Sequence, residues 1–103
     1  MLSVAIKNAI VRLKESASDY AELIEDGRFD LGLYQPVDLD SQTPHARDEL
    51  YIIAKGVGRF TCGGETKPFS PGDVFFVPAG SDHRFVEFSE DFATWVIFFA
   101  KRR

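Results

Sequence analysis

The sequence contains a single cysteine, Cys62, among its 103 residues. One cysteine cannot form an internal disulfide, and small secreted domains usually depend on disulfides, so nothing in the sequence indicates secretion. No segment reaches the roughly 20 consecutive apolar residues that a membrane-spanning helix needs. The N-terminus also lacks the basic start and apolar run of a signal peptide. The sequence therefore predicts a cytoplasmic location.

Positive charge is scarce as well. Lys and Arg number 12 against 16 Asp and Glu, which gives a net charge of −4 at pH 7. Such a surface repels phosphate backbones and anionic lipids, so we expect neither nucleic acid nor a membrane surface as a partner. The basic residues at 101–103 form too short a cluster to change this, and they are typical of a solvated tail.

Length and composition predict one domain that spans residues 1–103. Hydrophobic residues make up 45% of the chain, and ten residues are Phe. A high content of Phe favours β-strands that pack around an aromatic core.

Turn signals divide the chain into a short helix and many short strands. Apolar residues near a helical period predict the helix, with Ser3 as its N-cap: Val4, Ile6, Ala9, Ile10 and Leu13. Polarity alternates on both sides of Asp26-Gly27, which predicts a β-hairpin that ends before Pro36. Six further strands are predicted at 50–54, 59–62, 67–69, 73–77, 84–88 and 92–99. Many short strands at close spacing indicate an antiparallel sandwich or barrel.

Two of these strands are apolar on both faces, at 74–77 and 95–99. One face can line the barrel, whereas the other must be covered by further structure or by another subunit. An apolar outer face on a domain of this size predicts a homodimer.

Histidine is rare, and its two occurrences, His45 and His83, are the first candidates for a metal site. Two imidazoles and one carboxylate suit a divalent first-row transition metal. Four residues of a straight strand span roughly 13 Å, whereas metal–ligand bonds measure about 2 Å. His45 and Glu49 can therefore bind one ion only if residues 46–48 turn the chain. Asp48 is the alternative carboxylate.

The spacing of these residues resembles the two signature motifs of the cupin superfamily. The second motif fixes Gly, Pro, Gly and His at set intervals, and this chain has Gly72, Pro78, Gly80 and His83 at those intervals. Glu87 stands where the family has Asn.

The first motif is matched by His45, Glu49 and Gly56, which fit its second His, its Glu and its Gly. Thr43 then occupies the position of the first His. In another register His45 is the first His and Arg47 the second, but Glu49 would lie too close in sequence for the family spacing. The first register fits better.

The resemblance implies an all-β fold, a cupin jelly-roll β-barrel with a short N-terminal helix. It also implies a metal site inside the barrel, formed by His45, Glu49 and His83, for a divalent transition metal (Fe, Mn, Zn or Ni). Two functions follow from it. One is a metal-dependent enzyme acting on a small polar molecule, such as an organic acid or a sugar-like compound, with Tyr51 or Glu87 exchanging protons. The alternative is a non-catalytic barrel that binds a small-molecule ligand.

Overall fold

The computed structural model describes residues 1–100, so the basic cluster at 101–103 lies outside the described residues. Within this range the elements are α1 (Ile6–Glu15), β1 (Tyr20–Glu25), β2 (Phe29–Tyr34), β3 (Glu49–Lys55), β4 (Gly58–Cys62), β5 (Glu65–Phe69), β6 (Val74–Val77), β7 (His83–Val86) and β8 (Ala93–Phe99). The predicted helix, hairpin and series of short strands are confirmed. Over the described range, no helix is long and apolar enough to cross a membrane.

The helix is held by packing rather than by a side-chain cap. Its N-cap residue is Ala5, which makes no capping hydrogen bond, so the predicted cap at Ser3 is wrong. Ala9 and Leu13 are buried in a small cluster with Ala21 and Leu33 of the first hairpin. Tertiary packing of one apolar face is the usual source of stability for so short a helix.

The strands form two antiparallel sheets, ordered β1-β2-β8-β3-β6 and β5-β4-β7. The main buried cluster is aromatic, as the composition predicts. The ring centre of Phe85 lies 4.6 Å from that of Phe60 and 4.7 Å from that of Phe92. Contacts at this separation are typical of tilted aromatic pairs and add to the apolar burial.

The edge strand β6 keeps apolar side chains on its outer face. Val74 and Phe76 are 55% and 54% exposed, and they pair with Ile52 and Leu50 of β3. Phe76 therefore lies outside the core, because side chains alternate along a strand and the inward positions of β6 belong to Phe75 and Val77.

Two strands from different sheets present side chains to the same end of the interior. Glu49 and Tyr51 are both buried on β3, in the five-stranded sheet. His83 and Phe85 are both buried on β7, in the three-stranded sheet. The polar segment before β3, which carries His45, completes this end of the molecule.

Candidate metal centre

The side chains of His45, Glu49 and His83 meet at one point, with their potential ligand atoms within 4.8 Å of one another. Glu49 Oε1 lies 2.8 Å from His83 Nε2 and 3.8 Å from His45 Nε2. Two ligands on opposite sides of one ion are about 4 Å apart, since each bond measures about 2 Å. Small side-chain rotations would therefore let all three bind one ion. Their role as metal ligands stays a prediction.

A turn brings His45 back towards Glu49, as the spacing requires. Residues 46 and 47 form a bend, and β3 begins at Glu49. His45 itself lies in a loop. The His45 carbonyl accepts a hydrogen bond of 2.8 Å from the amide of Gly80, which ties this loop to the turn before β7.

That second turn explains the fixed glycine of the second motif. Gly80 has a φ of 80°, a left-handed conformation that favours glycine. The turn also occupies Asp48, whose Oδ1 accepts a hydrogen bond of 2.8 Å from the amide of Ala79. Asp48 therefore helps to join the two motifs, and Glu49 is the carboxylate that faces the histidines.

The Glu49 carboxylate lacks the hydrogen bonds that a buried charge needs. Its side chain is 1% exposed, and Oε1 lies 2.8 Å from His83 Nε2. While Nε2 carries no proton, both Glu49 oxygens are buried without a hydrogen-bond partner. His83 Nδ1 lies 2.9 Å from the carbonyl oxygen of Ser81, which can only accept, so Nδ1 carries the proton. A neutral His83 then directs the lone pair of Nε2 at Glu49 Oε1. The two lone pairs repel each other unless a proton or a metal ion provides positive charge.

The pKa of His83 reflects these opposing surroundings. Burial by itself lowers the pKa, but the adjacent Glu49 carboxylate and the Ser81 carbonyl more than offset it, so the pKa is raised above its usual value. In the metal-free protein, protonation of His83 partly supplies the positive charge that the buried carboxylate lacks.

Of the two residues proposed to exchange protons, only Tyr51 lies at the site. Its hydroxyl is 3.1 Å from His83 Nε2. Burial, followed by the negative charge of Glu49, raises the pKa of Tyr51, so the phenol stays protonated at neutral pH. The Glu87 side chain is 73% exposed, and its Oε2 lies 3.6 Å from Nε of Arg59. The prediction for Glu87 is wrong because β7 ends at Val86 and the chain turns away there.

Gln42, which the sequence reasoning did not single out, is the neighbour of His45 at this site. Its Oε1 lies 3.2 Å from His45 Nε2 and 3.1 Å from the Tyr51 hydroxyl. Thr43, which the motif register places in the first His position, is exposed. The amide oxygen of Gln42, one residue before Thr43, could have identified it as a candidate ligand from the sequence. In an irregular loop, however, side chains do not alternate as they do in a strand, so the sequence does not indicate which of the two residues faces inward.

A cavity of about 390 Å³ borders the candidate metal centre on the side of His45, the one candidate ligand that lines it. Its lining comprises Asp19, Tyr20, Tyr34, Ser41, Gln42, His45, Val96 and Phe98. The His45 side chain is 33% exposed, so a ligand in the cavity can contact His45. Arg47 is not among the lining residues and forms an ion pair of 2.7 Å with Asp30. Its guanidinium lies 5.0 Å from the ring centre of Phe98.

Residues 33–99 match the Cupin domain family. The match covers well over half of the chain and includes both motifs, so the protein belongs to this family. The predicted cupin jelly-roll fold with a short N-terminal helix is thereby confirmed.

The chain is similar to an uncharacterized protein of Streptomyces coelicolor, with 38% identity over 81 residues and 77% of each chain covered. Among solved structures, one of unknown function from Rhizobium leguminosarum has a TM-score of 0.77 at 21% identity, over 97% of both chains. KdgF from Halomonas sp. has a TM-score of 0.69 at 20% identity, over 81% of this chain and 78% of that one. At these identities the structural likeness establishes the fold.

Proposed function

We propose that this protein binds one divalent transition-metal ion through His45, Glu49 and His83, and converts a small polar molecule in the adjoining cavity. The observation that carries the proposal is the buried Glu49 carboxylate, whose oxygens have no hydrogen-bond partner while His83 Nε2 carries no proton. A buried carboxylate without a cation is strongly unfavourable. The nitrogen and oxygen donors suit Fe, Mn, Zn or Ni and include no sulfur.

The surrounding residues would orient these ligands. Ser81 holds His83 with Nε2 towards the site, an arrangement that commonly fixes metal-binding imidazoles. Tyr51 keeps its proton and donates a hydrogen bond of 3.1 Å to Gln42 Oε1. A bound divalent ion would supply Lewis-acid or redox chemistry.

The cavity suits an organic acid or a sugar-like compound. Its volume of about 390 Å³ falls in the range of small-molecule sites. Apolar side chains such as Val96 and Phe98 line the cavity, while the Tyr20 hydroxyl offers a hydrogen bond. Burial, assisted by the negative charge of Glu22, raises the pKa of Tyr20 to about 12, so this hydroxyl is available as a donor.

A second candidate is a non-catalytic barrel that binds a small molecule. It is favoured by the aromatic character of the cavity, which includes Tyr20, Tyr34 and Phe98. Such a pocket can hold a ligand without an ion. Metal content separates the two candidates.

Elemental analysis of protein purified without an affinity tag or added metal tests the proposal. We expect about one transition-metal ion per chain, and its loss in Glu49→Gln. The control is Glu22→Gln. Glu22 is an exposed residue that forms a separate acidic cluster with Glu25 and Asp30, and this variant should keep the ion. A metal-free protein that also takes up no Fe, Mn, Zn or Ni on dialysis would exclude the enzyme proposal and favour the second candidate.

We also propose that the protein is a homodimer in the cytoplasm, with neither nucleic acid nor a membrane as a partner. The net charge of −4 supports the exclusion of anionic partners. The exposed Val74 and Phe76 on edge strand β6 support the dimer. An edge strand with an apolar outer face is suited to pairing with a second copy about a two-fold axis.

A further inference from the structure

The orientation of the Gln42 amide is fixed by Asp40, which is 0% exposed. One Asp40 oxygen accepts hydrogen bonds from the Tyr34 hydroxyl (2.8 Å) and the Gln42 backbone amide (3.1 Å). The other accepts from the Phe85 backbone amide (2.8 Å) and Gln42 Nε2 (3.0 Å). Both Asp40 oxygens already act as acceptors towards other groups, and an acceptor requires a donor opposite it, so the amide nitrogen of Gln42 faces Asp40.

The amide oxygen of Gln42 therefore points the other way, towards the candidate metal centre. Oε1 lies 3.2 Å from His45 Nε2. Adjacent ligands of one ion, with bonds of about 2.1 Å at right angles, are roughly 3 Å apart. Gln42 Oε1 thus has the spacing of a neighbouring ligand, and amide oxygen is a donor that divalent cations accept.

We propose that Gln42 is a fourth protein ligand of this site and binds the ion through Oε1. Asp40 is the positioning residue that keeps the oxygen, rather than the nitrogen, directed at the ion. The inference rests on the proposed function, because it requires an ion at His45, Glu49 and His83. It also assigns the fourth position to Gln42 in place of the exposed Thr43.

Binding of Co²⁺ alone to the full chain tests the ligand role. Affinity is measured by competition with a coloured chelator, and the visible spectrum reports the coordination number. We expect Gln42→Ala and Gln42→Met to weaken Co²⁺ binding about tenfold or more and to change the spectrum. The matched control, Thr43→Ala in the same loop, should leave both unchanged.

The outcomes separate this inference from the proposed function. If the unaltered protein binds no Co²⁺, both fail. If it binds Co²⁺ and the Gln42 variants keep the affinity and spectrum, the three-residue site stands and the fourth ligand is excluded. If affinity falls with an unchanged spectrum, Gln42 acts only by orienting His45, and the ligand assignment is again excluded. A crystal structure of the Co²⁺-loaded protein with Oε1 well beyond bonding distance would overturn it without any variant.

A double-mutant cycle tests the positioning role of Asp40. Asp40→Asn places an amide opposite Gln42 and removes the constraint on its orientation. We expect this change to weaken Co²⁺ binding in the unaltered background and to have no further effect in the Gln42→Ala background. Equal losses in both backgrounds would mean that Asp40 supports the site by other contacts, which would overturn the positioning role.

Discussion

Glu49 and His83 face each other from opposite sheets, with Oε1 2.8 Å from Nε2 and each side chain 1% exposed. The interior thus contains a carboxylate whose compensation must come from a cation. A proton on His83 and a metal ion compete for this role. Metal binding, protonation and the stability of the metal-free protein are therefore coupled through one pair of residues.

Glu49→Gln should stabilise the metal-free protein while it impairs metal binding. The amide nitrogen of the new side chain can donate to Nε2 of neutral His83, because Nδ1 already donates to Ser81. We expect the free energy of unfolding in urea to rise by about 1 kcal/mol. Affinity for Mn²⁺ or Zn²⁺, measured against a chelator, should fall at least about tenfold. A less stable variant with unchanged affinity would contradict this view of the site.

Alanine substitutions of the two histidines should differ in their effect on stability. His83→Ala leaves Glu49 buried without its partner, so we expect the metal-free protein to lose about 3 kcal/mol of unfolding free energy. The His45 side chain is 33% exposed, and we expect His45→Ala to cost less than about 1 kcal/mol. Both variants should bind metal more weakly. Urea unfolding in the presence of a chelator measures the difference, and equal losses would argue against a buried Glu49–His83 pair.

Metal affinity should decline as the pH falls, and the decline should begin above about pH 6.5, the usual His value. The pKa of His83 is raised in the metal-free protein, because Glu49 and the Ser81 carbonyl outweigh the effect of burial. The imidazole must lose its proton to bind an ion. Chelator competition at a series of pH values measures the onset. An affinity independent of pH through the neutral range would exclude His83 as a ligand.

The same raised pKa sets the sign of a stability change in the metal-free protein. Folding stabilises the protonated form of His83, so its contribution is complete below about pH 6.5, the unfolded pKa. The contribution is lost as the pH rises through the raised pKa of the folded state. We expect the unfolding free energy of the metal-free protein to fall over that range, and His83→Ala to show a smaller change. A stability that rises instead would contradict the assignment.

Thr43→His tests whether the fourth metal ligand is at residue 43, as the motif register predicts, or is Gln42. The motif register predicts that this change restores a missing ligand and raises metal affinity about tenfold or more. Thr43 is exposed, however, and Gln42 lies next to His45. We therefore expect chelator competition to show an unchanged affinity. A tenfold increase would return the fourth position to residue 43.

Phe76→Glu should dissociate the proposed dimer. Phe76 is 54% exposed on edge strand β6, and a charge there would have to be buried between two copies. Light scattering at micromolar concentration should give the mass of two chains for the unaltered protein and of one chain for the variant. Val57→Glu, at another exposed apolar residue (55%), is the control and should remain dimeric. A monomer mass for the unaltered protein would refute the dimer.

The sequence by itself determined the features that arise from local pattern. Alternation around Asp26-Gly27 predicted the hairpin of β1 and β2, which the register of those strands confirms. Turn residues and strand length are local properties, so they constrain each element before the chain folds. The motif spacing likewise identified His45, Glu49 and His83 as candidate ligands of one metal site.

Only the tertiary structure decided which side chain of the loop before β3 faces the site. Gln42 is directed there by Asp40, and Asp40 is held by the amide of Phe85, 45 residues further along the chain. Glu87 was misplaced for a related reason, since its exposure depends on where β7 ends, at Val86. An irregular loop has no periodicity from which orientation can be inferred. Its side chains are fixed by hydrogen bonds to distant segments, and those bonds exist only after both sheets have assembled.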